Sequence, residues 1–206
     1  TLTVSSAASD VYKRQLFSQE VWNPESPRVK QAPEAYVDVQ NTASLLMRME
    51  LAGFEVGDRW SGLVPLAESR LEDHTSPFTS IHALIILAKS GMLEKARTMI
   101  RNMLAFTDLD QGPIGNTYRQ VVVPVAEAVL AFVEDQPKQV LERLMPIRFL
   151  LYRMGGSHAQ RDLFWQMMTR TALQLEDRTL LGQLHSEIRD FGFSMIEQRR
   201  AYAGVF

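Results

Sequence analysis

The chain has 206 residues, of which 46% are hydrophobic and 22% charged, with a formal net charge of -2 and no cysteine. This is the composition of an ordinary globular protein rather than a disordered or fibrous one. It supplies no long-range field to attract nucleic acid or an anionic membrane, and it excludes disulfides, thiolate catalysis and thiolate metal sites. The longest apolar runs, HALIILA and VVVPVAEAVLAFV, are too short or too interrupted to span a bilayer. The expectation is a cytoplasmic protein with neither membrane nor nucleic acid as partner.

Residues 1–15, TLTVSSAASDVYKRQ, show no helical periodicity and no turn chemistry. The run VSSAASDVYKRQ resembles translated read-through of a sequencing adapter, so this stretch is set aside as a disordered, non-native scar. On that reading the natural N-terminal part is missing. Residues 16–40 carry Pro24, Pro27 and Pro33 and read as an irregular linker. Residues 41–206 form a helical-repeat domain.

NTASLLMRMELAG is capped by Asn41 or Thr42, runs through apolar Leu45, Leu46, Met49 and Ala52, and stops at Gly53. GDRWSGLVPLAESRLEDH follows with Asp58 as cap, Trp60, Leu63, Leu66 and Ala67 on one face, and a kink expected at Pro65. Further helices are predicted over 79–90, 93–106, 118–133, 137–153, 157–175 and 178–191. The one β-branched run, RQVVVPV, contains Pro124, which argues against a central strand.

Three segments align around tight turns: LAKSGMLEKA, LAFVEDQPKQV and LQLEDRTLLG. In them Gly91, Asp135 and Asp177 are each followed five residues later by Ala96, Val140 and Gly182. Recurrence at intervals of about forty residues is the signature of stacked helical hairpins. The fold class expected is all-α, a degenerate right-handed solenoid of antiparallel helical hairpins of the tetratricopeptide type. If the first hairpin has lost a neighbour, Leu45, Leu46 and Met49 are exposed and the fragment self-associates.

The stretch MGGSHAQRD, residues 154–162, lacks the glycine spacing of a phosphate loop. Gly155 and Gly156 end one helix; Ser157 and Gln160 make a capping box for the next. His158 and Asp162 share a face of that helix with Arg161 beside them, either as an intrahelical polar pair or as a catalytic dyad.

SLLMRMELAGFEVGDRW, DHTSPFTSIHALIILAKSG and GGSHAQRD occur in this order and spacing, and together they resemble the tetratricopeptide repeat protein 38 family. The similarity runs from about Asn41 to the last helix pair and corresponds to the C-terminal half of the longer family members. Met47 stands where the family has Trp, and Ser80 where it often has Asp before His82, which weakens the transfer of a polar site to His82. The resemblance implies a helical-repeat fold and no established reaction.

In such arrays the first helix of each hairpin lines the concave face. The candidate ligand- or partner-binding residues are therefore Arg48, Glu50, His82, Arg119, Glu127, His158, Arg161 and Asp162. The bland alternative is that they pair with one another on helix surfaces. His74 and His82 are eight residues apart with no HxxxH or HExxH, so no metal site is expected; no cofactor is expected either. Ser157 serves as a cap and sits in no nucleophile elbow. Trp60, Trp165 and the methionines fill core, and EQRRAY is too short for a nucleic-acid patch. The function expected is a non-enzymatic scaffold that binds a protein or peptide on its concave face. The alternative is an enzyme or small-molecule-binding protein with a polar pocket around His82, His158, Asp162, Glu50 and Arg48.

Overall fold

The structure is a computed structural model that describes residues 36–190. The scar, most of the linker, Phe191 and EQRRAY lie outside the described residues. Within them every regular element is helical and there is no strand.

Helix α1, Tyr36–Leu51, starts inside the expected linker. Asn41 and Thr42 are therefore helix-interior residues rather than caps: the Thr42 hydroxyl donates to Asp38 O one turn back, at 2.8 Å. A 3-10 segment, Gly57–Leu63, runs into α2, Val64–Glu68. Pro65 lies in the first turn of α2, where its missing N–H has no partner to lose, so it starts the helix instead of kinking one. Then follow α3, Pro77–Lys89, and α4, Leu93–Leu109. Next, α5, Pro113–Thr117, continues through a π turn, Tyr118–Val122, into α6, Val123–Val133. Pro124 cannot donate to the carbonyl a turn behind it and its ring crowds that carbonyl; the wide turn lies directly before it. Helix α7, Pro137–Leu144, gives way to a 3-10 segment, Met145–Met154, and the chain continues with α8, His158–Gln174, and α9, Arg178–Asp190.

Four hairpin turns share one chemistry. Gly53, Gly91, Asp135 and Glu176 all have positive φ, between 54° and 80°. At each, the next residue's N–H returns to the carbonyl five residues behind it, as in Phe54 to Met49, Met92 to Leu87, Gln136 to Ala131 and Asp177 to Ala172. These are Schellman closures, which satisfy the orphan carbonyls of a helix end. The third expected turn residue is thereby corrected from Asp177 to Glu176. Five residues on, Ala96, Val140 and Leu181 are buried, whereas Gly182 is exposed.

Helices α1 and α3 run parallel and in register. The Gln40 side chain donates to Thr79 Oγ1 at 2.6 Å and Glu50 pairs with Lys89 at 2.7 Å, both across the same sequence offset. Helix α3 also packs on α2, α4 and α6, and each residue from Phe78 to Ala88 is buried, as expected of a helix that is apolar all round. An open solenoid stacks each hairpin only on its neighbours. Here α8 packs on α1 as well as on α7 and α9, so the fourth hairpin returns to the first around one continuous core. The apolar exposure expected on α1 is absent: Leu46 and Met49 are buried and Leu45 packs against the core.

The corrected turn alignment makes a stability prediction. Gly182→Ala, with nothing within 4 Å of the added Cβ, raises the unfolding free energy by about 0.5–1 kcal/mol. Leu181→Ala lowers it by about 2–3 kcal/mol. Urea denaturation measures both, and a destabilising Gly182→Ala restores the alignment on Asp177.

Candidate functional site

The double-glycine joint behaves as a joint. Gly155 and Gly156 take positive φ, 94° and 75°, and the full capping box of Ser157 and Gln160 starts α8. Gly156 also meets a tertiary demand: a Cβ there would lie 2.5 Å from Phe78 Cε2. The joint rests on the Phe78 ring, whose other neighbour is the His82 imidazole, 4.3 Å between centroids. The start of α8 is fastened to α1 by Arg48, which donates to the carbonyls of Ala159 and Gln160, and by Gln160, whose Nε2 donates to Asn41 Oδ1 at 3.2 Å.

A polar seam lies behind this contact. His82 is fully buried and its Nδ1 is 2.8 Å from Phe78 O. A carbonyl only accepts, so the proton sits on Nδ1 and Nε2 is a bare acceptor, with no hydrogen-bond partner. Burial pulls the imidazole pKa down to about 4, against the Phe78 hydrogen bond and reinforced by the nearby Arg48 charge. The α1–α3 register places Ser44, itself buried with an unpartnered Oγ, at the level of Ala83, the residue after His82. Asp162, buried on α8, accepts from Gln166 Nε2 at 2.7 Å.

On the outer side of the joint, the 3-10 segment and α8 border a cleft of about 290 Å³ lined by Arg148, Phe149, Leu151, Tyr152, His158, Arg161 and Trp165. Phe149 and Tyr152 are 47% and 62% exposed. Residues three apart eclipse in a 3-10 helix, which puts these two rings in one row and the buried Leu151 and Met154 in another. Arg148 lies over the Phe149 ring, 4.1 Å from its centroid, and forks onto Glu187 at 2.7 and 2.9 Å. Arg161 donates to the carbonyls of Gly155 and Gly156.

The eight sequence candidates thus divide between separate places. Arg48 lies near His82, Asp162 is buried on α8 beside Gln166, and His158 and Arg161 line the cleft. Glu50 binds Lys89 and accepts from the Trp60 indole at 3.1 Å. Arg119 is exposed and donates to Asn116 and to Thr107 O. Glu127 pairs with Arg143 at 3.1 Å in a second groove, between α4, α6 and α7. Sequence reading missed Ser44, Arg148, Phe149 and Tyr152 and assigned Trp165 to core alone. Its available signal was Pro146, which the single expected helix over 137–153 cannot hold in its interior. Among the described residues, no group of three or more His, Asp or Glu side chains is placed to hold a metal ion, and no helix is long and apolar enough to cross a membrane.

No family model matches the chain, and no solved structure matches it. Fold and cleft define the class of molecule: an all-helical array of hairpins with an aromatic and basic cleft at its last joint.

Two substitutions probe the site's framework. Gly156→Ala combines positive φ with the Phe78 clash and costs about 2–4 kcal/mol in chemical denaturation. Gly53→Ala has a similar φ of 80° but open space for the Cβ, and costs about 1–2 kcal/mol; equal losses would remove the role given to Phe78. For His82 the folded pKa lies below the unfolded value of 6.5, so the unfolded chain takes up the proton first as pH falls. Its contribution is complete above pH 6.5 and declines by about 3 kcal/mol towards pH 4. His82→Gln, which does not titrate, should flatten the stability profile between those values relative to wild type.

Proposed function

We propose that the chain is a non-enzymatic scaffold of degenerate tetratricopeptide-type hairpins, wrapped back on themselves, that binds a partner protein or peptide. The docking surface in this reading is the cleft between the 3-10 segment and α8 rather than a concave row of helices. The observation that carries it is the pair of exposed rings, Phe149 and Tyr152, beside Arg161 and His158. Aromatic and arginine side chains around a partly desolvated pocket are what protein interfaces use as anchors. The resemblance to the tetratricopeptide repeat protein 38 family points the same way, towards a repeat scaffold.

A display library of short random peptides selected on the full chain tests the reading. Enriched peptides should bind the wild type and lose about tenfold or more in affinity to Phe149→Ala/Tyr152→Ala. Absence of enrichment, or equal binding to the double variant, refutes it.

One observation favours a second reading, a small-molecule site in the seam: His82 Nε2 and Ser44 Oγ are both buried and unpartnered. A thermal-shift screen of small polar metabolites separates the two. A compound that stabilises the wild type and not His82→Gln supports the second reading.

A further inference from the structure

Resting on the peptide-binding reading, we propose that the cleft selects an acidic segment: a carboxylate seated on Arg161, followed or preceded by an apolar side chain laid against Tyr152 and Phe149.

The charge balance of the cleft carries this. Two guanidinium groups line it, and they are not equivalent. Arg148 is neutralised by the fork onto Glu187, which holds that carboxyl below its usual range. Arg148 is thus fixed as a platform over Phe149 and has little charge left to offer. Arg161 has no carboxylate partner among the described residues. Its hydrogen bonds run from Nη1 to two backbone carbonyls, leaving Nε and Nη2 unused. Partial burial alone lowers its pKa, with no neighbouring carboxylate acting the other way. A guanidinium that is partly desolvated and lacks an anion is a place where an incoming carboxylate gains a charge-assisted, two-pronged hydrogen bond.

The remaining walls set the rest of the partner's chemistry. Tyr152, more than half exposed, offers a ring face and a phenol. Trp165 and Leu151 close the floor with buried apolar surface. A purely anionic ligand leaves these surfaces wet and a purely apolar one leaves Arg161 unpaired. A segment that carries both satisfies both walls. A basic segment meets the positive charge of Arg161 at close range and is excluded.

The experiment uses fluorescein-labelled synthetic peptides with the enriched library sequences, each beside a copy in which every Asp is replaced by Asn and every Glu by Gln. Fluorescence anisotropy reads binding to the 206-residue chain. Acidic peptides should bind, with affinity falling as salt rises, and the amide copies should bind about tenfold more weakly. Arg161→Gln should lose a similar factor and Arg161→Lys should recover part of it. Because Arg161 also ties the glycine joint, Tyr152→Glu beside Tyr152→Gln supplies an independent test: both remove the exposed ring and only Glu adds a negative charge, so Glu should weaken acidic peptides about tenfold more than Gln does while the amide copies bind both variants alike. Peptides that bind the cleft equally well as amide copies, or that enrich lysine and arginine, overturn the acidic selectivity and leave peptide binding standing. A library that enriches nothing overturns both.

Discussion

The contact on which this architecture depends is the close approach of the Gly156 backbone to the Phe78 ring. Phe78 sits in the first turn of α3, the helix enclosed by the others, and Gly156 sits one residue before the cap of α8. With no side chain at Gly156, the joint settles directly on the ring, and α8 enters at a level where Arg48 and Asn41 of α1 reach its first turn. The same contact fixes two surfaces of opposite character. Inside, the same ring packs on the buried His82 imidazole. Outside, it sets the end of the 3-10 segment against α8 and so shapes the cleft.

Why the seam is polar follows from the cost of ordering a helix bundle by apolar contact alone. Apolar faces are interchangeable to first approximation, and many registers bury similar area. Gln40 to Thr79 and Glu50 to Lys89 mark both ends of the α1–α3 contact at one register. A slip by one residue would break both and leave the buried Gln40 and Thr79 unpaired, each costing about 1–3 kcal/mol. A neutral His82 fits the same logic. Arg48 already places a positive charge at the seam, and a second one there would be both desolvated and repelled.

Much of the fold was legible because hairpin turns are local chemistry. Gly53 and Gly91 announce themselves, since only glycine takes positive φ without strain. Asp135 and Glu176 carry the same turn without that signature, which is why the third repeat was aligned one residue late, on Asp177. The capping box at Ser157 was equally local and equally readable. Tertiary facts were not. Nothing in NTASLLMRMELAG states that α8 will pack on this helix, because the residues that meet Arg48 and Asn41 lie more than a hundred positions away. The candidate residues fared according to the same rule: His158, Arg161 and Asp162 were found as a cluster on one helix face, but His158, the first residue of α8, is exposed while Asp162, one turn further in, is buried.

The cleft owes its existence to a small departure from α-helical geometry. Had 137–153 been one α-helix, residues three apart would be offset by 60° around the axis, and Phe149 and Tyr152 would diverge. Pro146 ends the regular helix, and the tighter 3-10 turn that follows stacks the two rings in line while Leu151 and Met154 anchor the opposite row in the core. The 3-10 form has poorer hydrogen bonds and rarely runs this long, so a ten-residue stretch of it needs support from elsewhere. Arg148 provides it twice, by donating to Met145 O within the segment at 2.5 Å and by forking onto Glu187 of α9. The ion pair that holds the aromatic row in place therefore also consumes the charge of Arg148, and the recognition of an anion passes to Arg161 on the opposite wall.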